Sequence, residues 1–322
     1  MQAINALQSH DNILVLGAGE LGMSVIHALI EAAPKTQQVR VTVMLRSRMA
    51  RDHEASKKRD LAALEQLGVE ILQADIAHDS IEVLAAHFAR FDTVIGCVGF
   101  VAGAGTQLKL ARAALASGVK RYVPWQFGVD YDVIGRGSPQ NLFDEQLDVR
   151  DLLRAQHATE WIIISTGMFT SFLFEPAFGV IDLAQNTVRA LGSWNTQVTV
   201  TTPEDIGMLT AQIVFAEPRI ANEVVFTAGD TLTYQQLADS IDKQLGRNVS
   251  RIEWSVPELK RELAAAPEDQ MKKYRAVFAE GKGVAWHKHR TFNAARNISV
   301  TTVSDWIDQN GIVDRLRHPP AE

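Results

Sequence analysis

The chain contains a single cysteine, Cys97, in 322 residues. That excludes an intramolecular disulfide and argues against a thiolate metal centre. No apolar run is long enough to predict a membrane span. Positive charge is not in excess. A net charge of −6 and a pI near 5.9 speak against general nucleic-acid affinity. The first ten residues, MQAINALQSH, carry no signal-peptide pattern, so a cytoplasmic protein is the expectation. Repeats and low-complexity tracts are missing as well. One further absence is local. Between Pro34 and Arg51 there is no acidic residue.

What is present begins with hydrophobic content. At 46% hydrophobic residues, the chain can build one large domain or two unequal ones. Residues 13–22 read ILVLGAGELG, an apolar run that stops at a glycine cluster. Gly17, Gly19 and Gly22 give the G-x-G-x-x-G spacing between a predicted strand and a predicted helix, the context that gives this motif meaning. Gly17 allows a tight turn. Gly19 lets backbone N–H groups approach a pyrophosphate, and Gly22 lets the helix pack closely on a sheet. The helix start, Glu20 and Leu21, then faces the phosphates with unpaired N–H groups. A dinucleotide is the expected ligand.

The missing acid refines that expectation. The helix should end near Ala33 before Pro34, and VRVTVML at 39–45 reads as the next strand. An Asp or Glu at its end would bind the ribose 2′-hydroxyl of NAD. Arg46 stands there, followed by Ser47 and Arg48, and a guanidinium suits a 2′-phosphate. Lys57 and Lys58 could add positive potential. NADP(H) is therefore the expected cofactor. Asp75, after the third strand, could border the adenine or cap a turn.

Strand-like and helix-like segments alternate to about residue 165, with strands near 69–73, 93–98, 120–124 and 160–165. That alternation predicts a doubly wound parallel sheet of the Rossmann type. Ligands then lie at the strand ends, where Val98, Gly99, Gln126 and Phe127 are expected beside the cofactor. Beyond Ser165 the pattern loosens. Thr187–Leu191 and Gln197–Thr201 flank Gly192-Ser-Trp-Asn195 and predict a hairpin. Thr202-Pro-Glu-Asp205 predicts a capped helix start. The expected organisation is a dinucleotide-binding domain over 12–165 and 197–228, with a smaller substrate lobe from 166–196 and 229–322.

With these residues in place the chain resembles the NmrA-like branch of the atypical short-chain dehydrogenases, near the isoflavone reductase and phenylcoumaran benzylic ether reductase group. The resemblance rests on the glycine motif, Arg46, KRYVPWQFG at 120–128 and STGMF at 165–169. It spans about Asn12 to Ile312. The family pattern K-R-F-x-P-S-E-F-G is matched with Trp125 and Gln126 in place of Ser-Glu. The resemblance implies a Rossmann fold, NADPH, and reduction of aromatic or conjugated small molecules.

The sequence departs from the family at its acid–base residue. NLFDEQLDVR at 141–150 fits the stretch S-A-F-x-x-K-x-x-x-R, but Gln146 occupies the lysine position. A lysine can be tuned to exchange a proton near neutral pH, and a glutamine amide cannot. It can still donate a hydrogen bond to a substrate oxygen. The Tyr-x-x-x-Lys pair of ordinary short-chain dehydrogenases is missing too, since Tyr122 is followed four positions on by Gln126 and Tyr131 by Gly135. Gln146 and Tyr131 are the catalytic candidates. Asp130 and Asp132 serve equally well as turn caps. Phe100, Trp125 and Phe169 are the candidate substrate contacts, with Phe172 and Phe174 as further aromatics. His287 and His289 have no acidic neighbour, so no metal is expected. Two functions follow. One is an NADPH-dependent reductase of a small planar aromatic or conjugated carbonyl or ether compound. The other is a non-catalytic NADP(H)-sensing regulator that binds a partner protein.

Overall fold

A computed structural model describes residues 10–35, 38–46, 55–100 and 103–312, with only the backbone described for His10 and residues 55–58. In chain order the first half comprises β1 (His10–Leu16), α1 (Glu20–Ala32), β2 (Gln38–Leu45), α2 (Ala55–Gln66), β3 (Glu70–Gln73), α3 (Ile81–Phe88), β4 (Thr93–Gly96), α4 (Thr106–Ser117), β5 (Arg121–Val123), α5 (Tyr131–Ile134), α6 (Leu142–Arg154) and β6 (Glu160–Ser165). The second half comprises β7 (Met168–Phe169), β8 (Ile181–Asp182), β9 (Thr187–Leu191), β10 (Gln197–Thr201), α7 (Pro203–Val214), β11 (Glu223–Phe226), β12 (Asp230–Thr233), α8 (Tyr234–Leu245), β13 (Ser250–Trp254), α9 (Val256–Ala265), α10 (Gln270–Ala279), α11 (Phe292–Ala295) and α12 (Val303–Gln309).

Seven strands form one sheet in the order β11-β6-β5-β4-β1-β2-β3, with β1 to β6 paired in parallel. This is the α/β Rossmann-type architecture that the alternating pattern predicted. The central strands are buried on both faces, and Ile13, Leu14, Val15 and Leu16 are without solvent exposure. Chain order reverses between β1 and β4, the switch point where such sheets open a ligand crevice.

The chain divides into two compact units of nearly equal length. The first comprises Met1–Gln126, Asp148–Ile164 and Ile206–Val224. Its core joins Leu14, Met44, Phe88, Val94, Leu110 and Tyr122. Leu21, Val25, Ile26 and Leu29 form the buried face of α1. Helix α7 approaches α1 closely at Gly207, where a Cβ would come within 2.5 Å of the Ser24 backbone. Ser80 caps α3 by accepting from the Val83 N–H, and Gly118 ends α4 at φ +70°.

The second unit comprises Phe127–Leu147, Ser165–Asp205 and Val225–Glu322. It contains two three-stranded sheets, β12-β10-β7 and β13-β9-β8. Here the expected hairpin is corrected. Thr187–Leu191 and Gln197–Thr201 are both strands, but they do not pair with each other. β9 pairs in parallel with β13, Val188 opposite Arg251, while β10 pairs antiparallel with β12, Val198 opposite Leu232. The intervening residues turn the chain from one sheet to the other. The Gly192 N–H extends the β9 ladder to the Trp254 carbonyl, and at φ +84° a side chain there would meet the Ala279 carbonyl oxygen. Trp254 is held between two guanidinium groups, Arg275 at 4.7 Å and Arg189 at 5.3 Å from its ring centroid. The Thr202 hydroxyl accepts from the Asp205 N–H, capping α7 as the sequence implied.

Candidate functional site

At the end of β1 the backbone makes the turn that the glycine spacing anticipates. Gly17 sits at φ +93°, and a Cβ on it would lie 2.8 Å from Val98 Cγ2. Gly22 has no room for a side chain, because its Cβ would fall on the Gly17 carbonyl oxygen. Gly19 differs from both. It is the N-cap of α1, with φ −73° and no side-chain cap, and a Cβ on it would meet nothing within 4 Å. Two glycines are thus required by the protein's own packing, and the third faces open space.

That space is a cavity of about 290 Å³ lined by Gly17, Gly19, Arg46, Ile76, Val98 and Gly99, with Ala18, Met44, Leu45, Ala74, Ala77 and Cys97 completing the wall. Cleft and glycine turn therefore coincide, and Arg46 stands at the exposed rim at the end of β2. The start of α1, where Gly19 supplies no side-chain cap, suits a phosphate there, and Arg46 suits a second one further along the wall. The apolar stretch Met44, Leu45, Ala74 and Ile76 suits the flat face of a base. These features fit a dinucleotide carrying a 2′-phosphate.

The other expected cofactor residues divide. Glu20 is exposed at the first position of α1, while Leu21 is buried in the core and has only its backbone to offer a ligand. The Asp75 side chain is engaged in a turn. Its Oδ1 accepts from the N–H groups of Ala77 and His78, and its Oδ2 lies 3.1 Å from His78 Nδ1. The hydrogen bond with His78 holds this carboxyl below the usual carboxylate range. Its neighbours Ala74, Ile76 and Ala77 line the cleft instead. Gln126 is fully buried, and its Oε1 accepts from Arg150 Nε at 2.7 Å. Phe127 is buried as well. Lys58 falls in α2, but its side chain, like Ser47 and Arg48, lies outside the described residues. Cys97 also lines the cleft. Burial pushes its thiol far up, so it acts as a small apolar surface.

Among the aromatic candidates, Phe100 and Trp125 form an edge-to-face pair at 4.7 Å in the first unit. The Trp125 ring also lies against Gly99, where a Cβ would come within 2.9 Å of it. Phe169 is half-buried on β7 in the second unit. Phe172 and Phe174 are half-buried against aromatic neighbours of that unit, Phe172 on Phe178 and Tyr274, Phe174 on Trp306.

The two catalytic candidates are both buried in the second unit. Tyr131 opens α5, its ring edge-on to Phe143 at 5.0 Å and its hydroxyl packed where a side chain on Gly128 would sit. Phe143 continues to Tyr274, whose hydroxyl is pushed up to about 12 by burial. Asp130 caps α5 through the Val133 N–H, and Asp144 accepts from the Gly137 N–H. Gln146, on α6, has no solvent exposure. His287 and His289 stack at 5.4 Å, and among the described residues no cluster of three or more His, Cys, Asp or Glu could hold a metal ion. No helix of the described residues is long and apolar enough to cross a membrane.

Comparisons with known proteins agree with this geometry. The NmrA-like family model matches residues 9–307. An "NmrA-like family domain-containing oxidoreductase" from Gibberella moniliformis is 47% identical over 304 residues, covering 94% of this chain and 99% of its own. An isoflavone reductase structure superposes with a TM-score of 0.78 at 20% identity, over 94% of this chain and 100% of that one. The leucoanthocyanidin reductase of Vitis vinifera, solved as a binary complex with NADPH, gives a TM-score of 0.76 at 21% identity, over 94% and 99%. The chain belongs to the NmrA-like family.

Proposed function

We propose that this protein is an NADPH-dependent reductase of a small planar aromatic or conjugated carbonyl or ether compound. The observation that carries the reading is the cleft at the β1–α1 turn, open at Gly19 and rimmed by Arg46. The resemblance to a fungal oxidoreductase and to a reductase solved with NADPH supports it. In this reading the backbone at Gly17–Gly19 and the start of α1 hold the pyrophosphate, and Arg46 grips the 2′-phosphate. The bound nicotinamide supplies a hydride to an electron-poor carbon. Gln146 donates a hydrogen bond to the acceptor oxygen, and it stays neutral throughout. The proton comes from water or from a hydroxyl such as that of Tyr131. Phe100, Trp125 and Phe169 are the aromatic surfaces offered to the substrate.

A second reading has its own observation. Gln146 occupies the position of the family's lysine, so the chain could bind NADP(H) as a signal and act through a protein partner. NADPH oxidation across a panel of quinones, enones and aryl ethers separates the two. Turnover on any of them supports the reductase. Tight NADPH binding with no turnover on the whole panel supports the regulator.

A further inference from the structure

Two loops contribute to the wall of the dinucleotide cleft, and one helix holds both. The first loop leaves β4 at Cys97, Val98 and Gly99, and the second leaves β3 at Ala74, Ile76 and Ala77. Helix α4 begins beside them. From its first turn, Gln107 Nε2 donates to the Val98 carbonyl at 2.8 Å and approaches the Gly99 carbonyl at 3.5 Å. From the same turn, Lys109 Nζ donates to the Ala77 carbonyl at 3.0 Å and to the Asp79 carbonyl at 3.3 Å. Both donors take backbone carbonyls of cleft loops, and neither is itself in the cleft wall.

Gln107 is an expensive choice for a packing residue. It is 2% exposed, and its Oε1 is buried without a hydrogen-bond partner among the described residues. Leaving such an acceptor unmade is destabilising, because its water hydrogen bonds are lost without replacement. A leucine would fill similar space without that cost. What a leucine lacks is the amide donor. A planar trans peptide points its N–H opposite to its carbonyl. With the Val98 carbonyl turned toward α4, the Gly99 N–H is turned away from it. The Trp125 ring occupies the space that a side chain on Gly99 would need, so this position must stay glycine.

We propose that Gln107 and Lys109 are positioning residues for the cofactor, which together make α4 the clamp that sets the two cleft loops for a dinucleotide. The inference rests on the NADPH reading of the same cleft. Gln107 fixes the Val98–Gly99 peptide so that its N–H faces the bound dinucleotide. Lys109 ties the Ala77–Asp79 turn to the same helix and holds the opposite loop at a fixed distance. Neither side chain touches the ligand.

The test is a fluorescence titration of the full chain with NADPH at pH 8, beside thermal unfolding of the cofactor-free protein. Four variants are compared: Gln107→Glu, Gln107→Leu, Lys109→Met and Lys109→Arg. The glutamate keeps the shape and loses the donor wherever it ionises, and about tenfold weaker NADPH binding is expected for the ionised form. The leucine should bind about equally weakly. Lys109→Met should weaken binding about fivefold, with an unfolding midpoint close to that of the unaltered chain, since its clip lies at the surface. Lys109→Arg retains donors and should restore most of the affinity. Wild-type affinity in Gln107→Leu and Lys109→Met overturns the proposal. So does a failure of Lys109→Arg to bind better than Lys109→Met. If the unaltered chain itself does not bind NADPH, the cofactor reading falls first and takes this inference with it.

Discussion

The turn at Gly17–Gly22 and the segment 127–147 both carry candidate functional residues, but they are built in opposite ways. At the turn, the candidate features are backbone: two glycines meet their own neighbours, one opens onto the cleft, and the α1 start has no side-chain cap. In 127–147, the candidates are side chains, and these are buried. Tyr131 packs on Phe143, and Gln146 is without exposure. Backbone requirements restrict residue type sharply, so glycine spacing reveals them. A buried amide or phenol has many uses in a core, and its residue type alone identifies none.

The largest effect is expected where the comparison is sharpest. Gly22→Ala places a methyl on the Gly17 carbonyl oxygen, backbone against backbone, and nothing flexible can yield. A loss of about 3 kcal/mol or more is expected, read as a large drop in unfolding midpoint. Gly19→Ala should do the reverse. Its backbone is ordinary and its Cβ is free, so stability should hold within about 0.5 kcal/mol. NADPH affinity should nevertheless fall by about tenfold or more, because the methyl occupies the phosphate's approach. Equal stability losses in the two variants would erase the distinction between a packing glycine and a ligand glycine.

The next effect tests the buried side of the comparison. Gln146→Ala should lower turnover on a verified substrate by about a hundredfold and leave NADPH binding nearly intact. Unchanged turnover would make Gln146 a core amide only and move the search to the loop at Tyr131. A normal kcat with raised KM would assign it to substrate binding.

How much was legible follows from the same contrast. The order of strands and helices in the sheet could be read because β1, β4 and β6 are buried on both faces and appear as unbroken apolar runs. Arg46 could be placed at the cleft because it directly follows the β2 strand run. The partners of β9 and β10 could not. Both runs look like adjacent hairpin arms, and only the remote strands β13 and β12 decide otherwise. The placement of Phe127–Leu147 and residues 197–205 in the second unit likewise depends on long-range packing that no local pattern encodes. Ala74, Ile76 and Ala77 escaped notice as cleft residues because small apolar side chains after a strand look like ordinary core. Gln107 and Lys109 escaped because their partners are carbonyls, which every residue has.

The smallest effect lies at the other end of the first unit's sheet. Burial raises the Asp92 carboxyl, but hydrogen bonds from Lys120 and Asn12 outweigh it and hold the group below the usual carboxylate range. Its stabilisation is therefore complete above the unfolded value near 4 and is lost as pH falls through the lower folded value. Lys120 is largely exposed, so the pair should contribute less than about 1 kcal/mol. Asp92→Asn should flatten the acid limb of the unfolding midpoint against pH by that small amount, and it should leave NADPH binding unchanged. A binding change there would mean that the cleft is not governed by its own loops.

The central claim is that the cleft at Gly19 takes a dinucleotide and that Arg46 selects its 2′-phosphate. Parallel titrations of the unaltered chain and Arg46→Ala with NADPH and NADH test it most directly. A charge-assisted hydrogen bond contributes roughly 1.5–3 kcal/mol. The unaltered chain should bind NADPH more tightly than NADH, and Arg46→Ala should lose about tenfold or more of its NADPH affinity. NADH binding should be the same in both proteins. Superimposable NADPH and NADH curves for the unaltered chain would contradict the account.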